Sequence, residues 1–130
     1  MNKLAFIRWA ILLNGAINLL TGLALLFAPA WFYNALADFP PFNRHFLGDV
    51  GAFIFALGLG LLFAAREPRK HRGLIGVAAL GALLHVGNHL YDDFLVGHAT
   101  ATTHLLTNTL PLFIMAVLLI AAWVMLARGD

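Results

Sequence analysis

The sequence predicts an all-α integral membrane protein, a four-helix bundle with both termini cytoplasmic, and three observations carry that reading. First, 62% of the 130 residues are hydrophobic and only 11% are charged, about half the charged share of a soluble domain. Second, four apolar runs, at about 4–28, 43–65, 73–94 and 103–126, match the roughly 20 residues a helix needs to cross a bilayer. Third, Lys3, Arg8, Arg66, Arg69, Lys70, Arg72 and Arg128 flank one side of these runs, leaving only Arg44 on the other. The positive-inside rule therefore sets both termini and the middle loop on the cytoplasmic side of a cell inner membrane. Together the runs form a single membrane domain, 1–130, with only short loops.

The first run, Leu4 to Ala28, carries Arg8 near its start and Asn14, Asn18 and Thr21 within it. Pro29 stops it, and Trp31, Phe32 and Tyr33 follow as interfacial anchors. Ala28-Pro29-Ala30 has the small residues of a signal-peptidase site, yet the run exceeds the ~7–15 apolar residues of a signal peptide. It is read as a retained span. Residues 29–43 form a loop with a short interfacial helix around Trp31 to Ala37, and Pro40-Pro41 imposes extended backbone. The second run opens with Arg44, His45 and Asp49 and ends at the basic loop Arg66 to Arg72. The third carries His85, Asn88 and His89 and closes on Asp92-Asp93. The fourth holds His104, Thr107, Asn108 and Pro111 before Arg128.

Composition removes several function classes. With no cysteine, thiol redox chemistry, iron–sulfur clusters, cysteine zinc sites and disulfides are excluded. No glycine-rich phosphate loop or aromatic-basic surface is present, so nucleic acid is not an expected partner. The expected partners are the lipid bilayer and either a second copy or a larger membrane complex. Contact with anionic lipid is open to the basic loop 66–72, but its role as a topology determinant explains it fully. Gly48, Ala52, Ala56 and Gly60 recur every four positions and predict a tight helix-packing stripe, within the bundle or between copies.

What remains is polar and periodic. Asn14 and Asn18, His45 and Asp49, His85 and His89, and His104 and Asn108 stand four apart, so each pair shares a helix face. In an antiparallel bundle all four pairs fall in the outer half of the membrane, where each ionisable group costs several kcal/mol unless it is partnered. Three readings follow. A metal site would take His85 and His89 as two ligands, with His45, His104 or Asp49 completing the shell and Asp92, Asp93 or Asp49 orienting an imidazole. Nitrogen and oxygen donors without thiolate suit zinc, copper(II) or non-haem iron, and bis-histidine haem is the further option. A metal-free site, with Asn14, Asn18, Asp49, Asn108 and Tyr91 as contacts, would hold an amphipathic lipid or quinone, or relay protons. In the third reading the layer only fixes helix packing: asparagines join helices, and Asn108 answers carbonyls freed by Pro111. No nucleophile or oxyanion hole is apparent, so an enzyme or proton-coupled transporter ranks behind these.

Pro41-Phe42-Asn43-Arg44-His45, followed by Asp49-Val50-Gly51-Ala52 and later by His85 to His89, resembles a pattern in small bacterial four-span proteins of the DoxX-like group. The resemblance implies a compact four-helix bundle, and some members of that group have respiratory or redox accessory roles. It carries over no ligand residue by residue, and the lack of cysteine speaks against a thiol-based role. The expectation is an inner-membrane bundle with a His/Asp/Asn site, open to the outer side, that binds a small ligand or a divalent metal.

Overall fold

The computed structural model describes residues 2–37, 41–96 and 105–128. Among them there is no strand, and four helices are long and apolar enough to cross a membrane: Lys3–Phe27, Arg44–Ala64, Arg72–Leu95 and Leu105–Ala127. They coincide with the four apolar runs to within one or two residues. Helix α1 (Lys3–Phe27) starts where the Asn2 side chain accepts the amide N–H of Ala5, at 2.8 Å. Pro29 then ends α1 and begins α2 (Pro29–Phe32), which runs on into a π-helical turn, Tyr33–Ala37. This short segment lies where a helix was expected from the aromatic cluster, and Tyr33 packs edge-on against Phe42, their rings 5.3 Å apart.

Helix α3 (Arg44–Ala64) is capped by Asn43, whose side chain accepts from Phe46 N–H at 3.0 Å. Capping satisfies an amide that the helix start otherwise leaves open. Helix α4 (Arg72–Tyr91) continues through a π-helical turn at Asp92–Val96. Another such turn, Leu105–Thr109, leads into α5 (Leu110–Ala127). Pro111 lies one residue inside α5, and its missing N–H frees the carbonyl four residues earlier. The wider turn before it is the local response.

Around the bundle the spans are ordered α3, α1, α5, α4, and α3 touches α4 only weakly. The closest contact is between α1 and α3. Gly15 and Gly22 on α1, and Gly51 and Gly58 on α3, are each seven residues apart, which is two turns and one helix face. A Cβ added at Gly58 would stand 2.4 Å from Leu19 N and 2.9 Å from the Gly15 carbonyl oxygen; one at Gly22 would stand 2.5 Å from Phe55 N. The two backbones touch there, and only glycine allows it.

The stripe expected at Gly48, Ala52, Ala56 and Gly60 is not this contact. A Cβ on Gly48 would meet nothing within 4 Å, Ala52 and Ala56 are exposed, and Gly60 faces only Leu74 of α4. A four-residue spacing drifts around a 3.6-residue helix, whereas the seven-residue spacing stays on one face.

The apolar core gathers at one end. Ile7, Ile11, Leu61, Ile75, Leu119 and Ala122 are buried together. They come from the start of α1, the end of α3, the start of α4 and the end of α5. This is the end that carries the basic loop, called here the basic end, and the Arg8 guanidinium donates there to the Arg66 carbonyl at 3.2 Å. The opposite, distal end holds His45 and Asp49 at the start of α3 and His85 and His89 late in the third span, while Asn14 lies near the middle of α1.

Candidate functional site

Helix α4 supplies most of the distal chemistry. His85 lies 13 residues beyond Arg72, about 20 Å along a span about 36 Å long, so it sits just past mid-span. His89 follows one turn later. The two imidazoles meet edge to face at an interplanar angle of 60°, with ring centroids 4.9 Å apart. Their Nε2 atoms approach to 3.2 Å. In a hydrogen bond one Nε2 carries the proton and the other accepts it. The same separation has a second meaning: two nitrogens bound to one tetrahedral metal at about 2.0–2.1 Å stand about 3.3 Å apart. The separation of the two nitrogens therefore matches that of a two-histidine chelate. His89 is half-buried, and His85 is on the bundle surface.

Beside this pair, Asn88 donates to Asp92 at 3.3 Å on the exposed side of α4. Asp93 points the other way. Only 4% of it is exposed, and the hydroxyl of buried Thr109 donates to its Oδ2 at 2.6 Å. That length lies at the short end of the O–H···O range. Asp93 and Thr109 both lie in π-helical turns, so this one bond clasps the end of the third span to the start of the fourth.

The remaining expected residues are dispersed. His45 and Asp49 form a 3.5 Å pair on α3, but their side chains are 89% and 62% exposed. Asn14, 2% exposed, lies in the core and donates to the Ala10 carbonyl at 3.0 Å; Asn18 donates to the Asn14 carbonyl at 2.9 Å. Both asparagines thus bond backward along their own helix. Asn108 donates to the Thr107 hydroxyl at 3.2 Å rather than to a carbonyl freed by Pro111. Tyr91 is exposed. His104 lies outside the described residues. Among the described residues no three His, Asp or Glu side chains gather where one metal ion could be held. The expected convergence of His45, Asp49 and Asp93 on the His85–His89 pair is therefore not found there. The physical reason is geometric: α3 and α4 barely touch, so the two polar pairs face different surroundings.

Comparison with known proteins adds no relative. No family model matches the chain, and neither a curated protein nor a solved structure matches it. The likeness to the DoxX-like group rests on the sequence motifs alone, and one of their residues, Asn43, acts as the cap of α3.

Two features of the site escaped the sequence. Thr109 follows Thr107 and Asn108 just before the apolar run from Leu110, with no periodic signal, and its partner Asp93 is 16 residues away. Asp93 itself reads as one of two adjacent acids, and nothing in the sequence says which of them turns inward.

Proposed function

We propose that the chain is a small multi-pass protein of the inner membrane that binds a divalent transition metal through His85 and His89. The observation that carries this reading is the 3.2 Å separation of the two Nε2 atoms within a membrane-spanning helix. Two imidazoles supply half of a tetrahedral shell. Water, or a small ligand carried on the metal, takes the other positions, as in sites that keep coordination open. Nitrogen donors without thiolate favour zinc or copper(II). The distribution of bases supports an orientation in which the pair opens toward the outer side. An accessory role in a larger membrane assembly fits a bundle with so little mass outside the bilayer.

Metal binding tests this directly. Detergent-purified protein titrated with Zn²⁺ or Co²⁺ is expected to bind one equivalent. His85→Ala and His89→Ala should each weaken binding at least tenfold, while His45→Ala, in a separate pair, should leave it unchanged. Equal metal uptake by wild type and both α4 variants would sink the proposal.

The second reading, a polar layer that only fixes packing, is favoured by specific bonds. Asn14 and Asn18 serve their own helix, and Asp93 and Thr109 clasp two spans. It predicts that His85→Ala changes thermal stability and no metal signal.

A further inference from the structure

Outside the distal site, one surface feature combines shape and charge. Between α4 and α5, at the basic end, lies an open apolar groove of about 790 Å³. Gly76, Val77, Leu80 and Leu83 of α4 form one side, and Ile120 and Trp123 of α5 form the other. Its two glycines differ, since the Trp123 indole packs directly on Gly76 while Gly73 is open. A Cβ at Gly76 would reach within 2.6 Å of Trp123 Nε1, and one at Gly73 would meet nothing within 4 Å.

Arg72 stands at the mouth. No hydrogen bond or ion pair engages it among the described residues. The acid in that loop, Glu67, is already paired with Lys70 at 3.2 Å. Arg66 and Arg69 add charge of the same sign. From Arg72 to Leu83 the groove spans 11 residues, about 16 Å of helix, which is close to half of a ~30 Å hydrocarbon core. The groove is one leaflet long, and among the described residues Arg72 is the cation that lines it, at the interface end.

We infer that the groove is a binding site for an anionic phospholipid of the leaflet facing the basic loop. The phosphate pairs with Arg72, and one acyl chain lies along Gly73, Val77 and Leu80, against the Trp123 indole that covers Gly76. This site is separate from the His85–His89 pair and does not depend on its chemistry.

The test uses the full chain in detergent, with lipids counted by native mass spectrometry. Phosphatidylglycerol and phosphatidylcholine with identical chains are added in equal amounts. Wild type is expected to retain phosphatidylglycerol about fivefold more than phosphatidylcholine, the factor expected from roughly one interfacial base. Arg72→Gln should erase the preference. Arg66→Gln, whose parent side chain lies over the Phe63 ring instead, should keep it. Gly73→Leu fills the groove from a position with open space, so it should fold normally and lose both lipids. Equal retention of the two lipids by wild type overturns the inference. So does equal loss in the two arginine variants, which would mean diffuse surface charge. Displacement of the lipid by inorganic phosphate alone would mark a free-anion site instead. A wild-type dimer turned monomeric by Gly73→Leu would mark the groove as a contact between copies.

Discussion

Gly58→Ala is expected to destabilise the bundle by about 3 kcal/mol or more. Overpacking of a tight interior costs typically about 1–3 kcal/mol when side chains can yield. Here the added methyl meets Leu19 N at 2.4 Å, Leu19 Cα at 2.8 Å and the Gly15 carbonyl oxygen at 2.9 Å. Backbone atoms cannot rotate away, so α1 and α3 must separate along their contact. Gly22→Ala meets Phe55 N at 2.5 Å and should behave alike. Gly48→Ala is the matched control on the same helix. It has open space and should be neutral, or stabilising by up to about 1 kcal/mol through helix propensity. Chemical unfolding in mixed micelles, followed by circular dichroism, reads the difference. If Gly58→Ala and Gly48→Ala unfold together, the close approach of α1 and α3 is wrong.

Thr109→Val should be the costliest change at the distal end, by about 1.5–3 kcal/mol. Removing one partner of a buried hydrogen bond costs about 1–3 kcal/mol. The average for polar bonds between membrane helices is lower, about 0.6 kcal/mol, because most such groups find other partners when the helices part. The short bond to a buried carboxylate places Thr109 at the upper end. Valine keeps the shape and removes only the donor. Thr109→Ser, which keeps the hydroxyl, should recover most of the loss. Amide exchange should report where the loss falls: protection should drop around residues 92–96 and 105–109 and persist in the α1–α3 contact. Thr109→Val and Thr109→Ser losing stability equally would show that packing, not the hydroxyl, holds the clasp.

The four helices were legible because lipid as solvent leaves a simple signature: apolar runs about 20 residues long, ended by proline or charge. The basic end was legible for the same reason, since few bases occur and nearly all share one side. Faces were harder. A helix surrounded by lipid can be apolar on every side, so hydrophobic periodicity does not say which side meets a neighbour. The Gly48–Gly60 stripe looked like an interface and faces mostly open surface. The true contact, Gly15 and Gly22 against Gly51 and Gly58, was visible only as two matching seven-residue spacings. On the first three spans the polar pairs share a helix face as a four-residue spacing requires, and His104 of the fourth pair lies outside the described residues. Whether separate faces meet depends on helix order around the bundle, and His45 and Asp49 show that cost: they pair with each other, away from His85 and His89. The inward turn of Asp93 depends on the wider π-helical geometry, for which sequence offers no period.

The glycine contact also bears on how the protein is made. Its two helices are consecutive spans of the chain, and the glycine fit between them uses residues of the first half of the sequence. The most intimate interface is thus the first that a growing chain can complete, since early segments fold before later ones emerge. The hairpin of α1 and α3 can enter the bilayer as a finished wedge, against which α5 then docks along α1. Order of synthesis and order of packing coincide.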